Sequence, residues 1–251
     1  MSKTKIARYI VTILIIAAIV LFTQVKDTLP TTNSEDNDTA LDTQMQMMND
    51  EPDYNLSNIP EFTDKPYVQI NKNKPNFTEK ELKAAETSFE NYSDLDELSR
   101  PGTAVASVGQ DLMPTEERGS IGMIKPPGWH TVRYDDLIPD KYLYNRCHLI
   151  GYQLTGENAN EYNLITGTRY LNIDGMLSFE NEIAKYVKDT NNHVLYRVTP
   201  IYKGDNLLAS GVLMEAMSVE DNGKDICFCV YAYNEQPGID IDHKTGDSKR
   251  K

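Results

Sequence analysis

The stretch Tyr144-Asn145-Arg146-Cys147-His148-Leu149-Ile150-Gly151 sets a charged group and a titratable ring inside an apolar run. Burying such groups without a task is costly, so the segment reads as a strand that carries chemistry. Residues two apart on a strand share a face, whereas neighbours point to opposite faces. Arg146 and His148 therefore project together and Cys147 points away, which disfavours a cysteine hydrolase using Cys147 with His148 as its base. A second run, Asn163-Leu164-Ile165-Thr166-Gly167-Thr168, leads through Arg169-Tyr170-Leu171-Asn172 into a helix-like stretch over residues 170–188. On that helix Asn172, Met176 and Glu180 recur at steps of four and form one stripe. An amide and a carboxylate on one stripe suit a hard, oxygen-seeking cation such as magnesium, which keeps most of its waters. The pattern equally allows Asn172 as a helix cap and Glu180 as a solvated surface acid.

Outward from this pair, residues 194–202, 207–217 and 226–233 are rich in Val, Ile, Tyr and Leu and are separated by Gly204-Asp205-Asn206 and Asp221-Asn222-Gly223. They predict an antiparallel meander. Cys227 and Cys229, two apart in the last run, read as small core residues, and the three cysteines show neither zinc spacing nor a disulfide framework. Upstream, Thr78, Glu79 and Glu81 before Leu82, Ala85 and Phe89 predict a capped amphipathic helix. Residues 94–133, dense in Gly and Pro, predict an ordered loop with short strands, Trp129 packing within it. His130, His193 and His243 lack any comparable context and read as surface or loop residues.

The two central segments resemble the DNA/RNA nonspecific endonuclease family, over residues 67–246. Its members are ββα-metal nucleases in which a strand presents Asp-Arg-Gly-His and the following helix begins near a metal-binding Asn. Here that motif stands as Asn145-Arg146-Cys147-His148. The resemblance implies His148 as general base, Asn172 as direct magnesium ligand, Glu180 as an acid holding the hydrated metal, and Asn163 as a further active-site residue that orients the loop. It also implies cleavage leaving a 5′-phosphate and a free 3′-hydroxyl. Asn145 for Asp and Cys147 for Gly depart from the pattern. An imidazole of ordinary pKa is largely neutral at physiological pH and can take a proton from an attacking water. Arg146, Arg169 and Arg197 are the candidates for phosphate contacts, because a guanidinium forks onto two oxygens; Arg169 and Arg197 could instead form internal ion pairs.

The expected fold is α+β: an antiparallel sheet core bearing the ββα-metal motif, preceded by an N-terminal transmembrane helix and a disordered stalk. Lys3, Lys5 and Arg8 precede an apolar stretch over residues 9–22. Residues 1–25 are therefore expected to anchor the chain, with residues 9–25 in the membrane and the rest outside the cytoplasm; a cleaved signal peptide is the alternative. Residues 26–65 read as a flexible acidic stalk, in which the Met45–Met48 patch could form a docking helix, and residues 66–251 as the nuclease domain. The net charge of −13 is unusual for a partner of a polyanion, so any grip on DNA, or on RNA as a second substrate, must be local and salt-sensitive. Magnesium, with manganese as a substitute, is the expected cofactor, and no organic cofactor is implied. A noncatalytic surface protein on the same fold is the rival reading, motivated by Asn145 and Cys147.

Overall fold

The computed structural model describes residues 34–49, 54 and 56–251. The chain divides into residues 1–39 and residues 40–251, and the described strands all lie in the second unit. The anchor expected over residues 1–25 lies outside the described residues. Among the described residues no helix is long and apolar enough to cross a membrane.

Six strands form the main sheet: β1 (Tyr67–Gln69), β2 (Phe89–Tyr92), β3 (Ala104–Val108) and, from the C-terminal half, β6 (Val194–Ile201), β7 (Gly211–Ser218) and β8 (Cys227–Tyr233). All neighbours are antiparallel, in the order β1-β8-β7-β6-β3-β2. β6, β7 and β8 are the expected meander. A separate two-stranded ribbon pairs β4 (Tyr144–His148) with β5 (Leu164–Thr168), and a short helix, α3 (Tyr152–Thr155), lies between them in sequence. A π-helical segment, Leu171–Met176, then runs into α4 (Leu177–Thr190). A hairpin of β9 (Ile239–Ile241) and β10 (Ser248–Arg250) comes after the sheet.

Strand alternation divides the core. Ala104, Ala106 and Val108 of β3, Val194, Tyr196 and Val198 of β6, and Val212, Met214 and Ala216 of β7 pack in one cluster with Ile183 and Val187 of α4 and Cys147, Leu149 and Ile150 of the ribbon. The intervening Val105 and Leu195 pack on the other face, with Ala84, Ala85 and Met47. Burial of each large aliphatic or Met side chain on either face contributes about 1.5–3 kcal/mol.

Met47 corrects the stalk reading. Ser34–Asn49 is a helix, α1, and Met47 on it is 1% exposed within the second cluster. Further along, Tyr54 donates its hydroxyl to Glu215 (2.6 Å) and Tyr233 donates to the carbonyl of Pro60 (2.7 Å), so the chain leading to β1 also lies along the domain. Four acids and two Thr within α1 mask the apolar positions that matter, and the cluster that receives them comes from distant strands. The helix expected after Thr78 is present with a full capping box between Thr78 and Glu81, but α2 (Glu79–Ala84) stops short of Phe89, which opens β2. Cys229 is buried as expected, whereas Cys227, at the start of β8, is exposed.

Candidate active site

His148 ends β4, and the backbone beyond it is held by one side chain. The backbone N–H of Ile150 donates to Asn163 Oδ1 (2.9 Å), Asn163 Nδ2 donates to the carbonyl of Ile150 (3.0 Å), and the N–H of Leu149 donates to the Asn163 carbonyl (2.9 Å). Asn163 is fully buried, which fits the loop-orienting part the resemblance implies. The His148 ring is 6% exposed, with Nε2 lying 2.9 Å from the carbonyl of Asn158 and Nδ1 lying 3.3 Å from Nη2 of Arg118. A carbonyl only accepts and a guanidinium only donates. The proton of the neutral ring therefore sits on Nε2, and the lone pair of Nδ1 faces Arg118. Burial pushes the ring's pKa down to about 4; the Asn158 carbonyl works against that shift and the Arg118 charge adds to it. His148 is thus held as the free base.

Asn172 is not the helix cap the pattern allowed. It lies inside the π-helical segment, a local widening that often accompanies functional sites. Its amide donates from Nδ2 to Asn145 Oδ1 (3.2 Å), while its Oδ1 accepts from the Cys147 thiol (3.3 Å). The two positions that depart from the family motif thus both touch the residue the motif supports. Asn145 Oδ1 also accepts from Arg169 (3.4 Å), so this one amide oxygen ties Arg169 to Asn172. Cys147 finds its room across the ribbon: a Cβ at Gly167 would stand 2.6 Å from that of Cys147. Burial raises the Cys147 thiol well above its usual range, which leaves it no thiolate for nucleophilic attack.

Glu180 is buried, not a solvated surface acid. Its carboxylate packs on Gly151, where an added Cβ would meet Oε2 at 2.7 Å. Burial raises its pKa to about 7, against the opposing pull of the Gly151 N–H and of Arg118. Among the described residues no cluster of three or more His, Cys, Asp and Glu could cage a metal, and no ion pair engages Glu180. The amide oxygen of Asn172, which keeps a lone pair beside its bond from Cys147, and the buried carboxyl of Glu180 further along the helix fit a cation that takes few protein oxygens and keeps its waters.

Arg118, Arg146, Arg169, Asn145, Asn172 and Trp129 border one cavity of about 460 Å³. Arg146 stacks over Trp129 (4.0 Å to the ring centroid) and donates to the carbonyls of Ile124 and Gly122 from Nε and Nη2, so it braces the loop from the cavity wall. Arg169 pairs with Asp140 and remains at the cavity. Arg197 does not reach it. Its side chain lies on the opposite face of the main sheet, 5% exposed, bonded twice to Glu215 (2.8 and 3.0 Å) and once to Glu81 (3.2 Å). Its assignment to phosphate binding is therefore corrected to a buried ion pair. Arg118, which meets His148 and borders the cavity, was not singled out from the sequence; it stands in Glu116-Glu117-Arg118-Gly119, a loop segment without distinguishing spacing.

A model of the DNA/RNA non-specific endonuclease family matches residues 75–220. The chain belongs to that family. Among solved structures similar to this chain, NucA from Streptococcus agalactiae with magnesium ion bound is 26% identical, with a TM-score of 0.66 over 78% of this chain and 92% of that one. The Sda1 nuclease with bound zinc ion is 24% identical with a TM-score of 0.60, over 74% of this chain and 97% of that one, a likeness of fold. A deoxyribonuclease of Streptococcus dysgalactiae subsp. equisimilis is 29% identical over 112 residues, which are 43% of this chain and 33% of the relative. The chain thus matches about a third of that curated relative's length.

Proposed function

We propose that this family member is a divalent-metal-dependent, sequence-nonspecific endonuclease acting on DNA, with RNA as a second substrate. The observation that carries the reading is the His148 tautomer: Nε2–H is spent on the Asn158 carbonyl, and the basic Nδ1 is turned to Arg118, a wall of the cavity that holds Asn172. His148 acts as the general base that takes a proton from the attacking water. The Asn158 carbonyl then steadies the charged ring, and Asn163 fixes the strand end that aims it. A base with a pKa near 4 is weak. An incoming phosphodiester pairs with Arg118 and masks its charge, which lifts the smaller, Arg118 part of the shift while the larger part, from burial, stays.

Asn172 would hold magnesium directly and Glu180 would act on its hydration shell, with manganese as a substitute. The bound ion supplies charge neutralisation on the nonbridging and leaving oxygens of the phosphodiester. The magnesium found in the similar NucA structure supports this choice. Asn145 orients Asn172, while Arg118, Arg146 and Arg169 contact phosphates without reading bases, which gives cutting that is indifferent to sequence. We infer the domain to work outside the cytoplasm, supported by the apolar residues 9–22 that follow Lys3, Lys5 and Arg8.

Supercoiled plasmid, single-stranded DNA and RNA incubated side by side with magnesium and then with EDTA test the reading. Nicking of the plasmid that EDTA abolishes is the expected result. Folded protein that cuts none of the three with magnesium or manganese would overturn it in favour of a noncatalytic binding protein.

A further inference from the structure

Tyr142 stands just before β4, on the wall of the cavity that contains Asn145, Asn172, Arg146 and Arg169. It is 46% exposed, one of the few large apolar side chains the domain leaves in solvent. The ring is also firmly mounted. Its backbone bridges to Arg133, and the N–H of the next residue, Leu143, donates to the carbonyl of Val132 (3.0 Å). The Arg133 guanidinium lies over the Tyr142 ring (5.4 Å to the centroid) and is pinned in turn by two hydrogen bonds to Asp135 (3.0 and 2.8 Å). Tyr142 borders the cavity and Arg133 does not. The result is a braced aromatic plate beside a group of arginines and the candidate metal ligand.

Cations next to an exposed, preorganised ring are what a nucleotide requires, with its anionic phosphate on one side and its flat base on the other. A base paired inside a duplex has its faces covered by its neighbours and cannot lie on such a plate; an unpaired base can. Resting on the nuclease reading above, we propose that Tyr142 is a stacking subsite for the base of an unpaired nucleotide adjoining the scissile phosphate. The preferred substrate of the site is then a single strand, or a duplex opened locally, and every base serves because every base has a π-face. The subsite grips without reading sequence, so it adds affinity while leaving cutting nonspecific. It also relieves the problem posed by the chain's acidity, since part of the affinity comes from stacking and does not weaken with salt as phosphate contacts do.

The test is binding, measured in EDTA so that nothing is cut. Fluorescence anisotropy compares a labelled oligothymidylate with an abasic deoxyribose-phosphate oligomer of equal length, for the wild-type protein, Tyr142→Phe and Tyr142→Ala. Stacking of one base on an aromatic side chain predicts that Tyr142→Ala weakens oligothymidylate binding about tenfold and leaves abasic binding unchanged. Tyr142→Phe, which keeps the ring, should stay within about twofold of wild type. Equal weakening on both oligomers, or on neither, would overturn the subsite, and melting curves confirm that each variant is folded. The nuclease reading fails differently: base-dependent binding through Tyr142 would persist while no substrate is cut with magnesium.

Discussion

Arg197 and Glu215 lie on one face of the six-stranded sheet, and the ribbon and α4, which carry His148 and Glu180, pack against the other; all four residues are buried. On the first face the charges answer each other. Arg197 forks onto Glu215, a third hydrogen bond reaches Glu81, and Tyr54 donates to the same Glu215 oxygen; those carboxylates hold Arg197 more firmly protonated against the cost of burial. On the second face the acid and the base are not paired with each other, and burial drives their pKa values in opposite directions, to about 4 for the ring and about 7 for the carboxyl. A compensated buried pair is scaffold. A buried acid and base that do not pair with each other hold shifted ionisation states at a cost to stability, a pattern that clusters at functional sites.

Breaking each face should give opposite signatures. His148→Ala is expected to lower the rate of plasmid nicking on the order of 10²-fold or more with no loss in melting temperature at neutral pH; near-normal cutting would remove the ring from its role. Glu215→Ala leaves Arg197 buried without its main partner and should cost about 3–5 kcal/mol, read by urea denaturation, with the activity of the remaining folded protein unaltered. Were Glu215→Ala to abolish cutting while the fold held, the two faces would not be separable.

Smaller effects sharpen the same contrast. Gly167→Ala sets a new methyl against Cys147 and should destabilise by about 1–3 kcal/mol, and Cys147→Gly in the same chain should recover most of it. Independent, additive losses would show that Cys147 does not occupy the space that Gly167 leaves. The mildest test is pH, with melting followed in EDTA. Between pH 6.5 and about 4 the unfolded chain binds a proton that the folded His148 refuses, so stability falls as pH falls through that window. Between pH 4.5 and about 7 the unfolded chain releases a proton that the folded Glu180 keeps, so stability falls as pH rises. His148→Ala should therefore gain on wild type at about pH 5 relative to about pH 7.5, and Glu180→Gln should gain at about pH 7.5 relative to about pH 5. Curves parallel to wild type would mean that neither group is held in the ionisation state described.

The two faces also differ in how far local sequence reveals them. His148 stood out as a titratable ring inside an apolar strand, Asn172 and Glu180 shared a helical stripe that also suited a cap and a surface acid, and the family resemblance gave these residues and Asn163 their expected parts; the meander was legible from its turns. Arg197 was misplaced for a matching reason. Alternation states that Arg197 points opposite to Tyr196 and Val198, but not which of those two faces meets the ribbon. Arg118 reaches His148 across 30 positions of chain, through a loop whose path no local period sets. α1 was obscured because its helical pattern is weak and Met47 becomes a core residue only when it meets Val105 and Leu195.

By itself, then, the sequence determined the central strands, the meander and the helix that follows the ribbon, and it supplied the residue types able to move a proton, since these follow from side-chain chemistry and short-range backbone periods. The tertiary structure alone decided which face of the sheet meets the ribbon, which arginines border the cavity, and how far the acid and base are shifted. Those outcomes depend on burial and on contacts between segments far apart in the chain, and neither is expressed in local order.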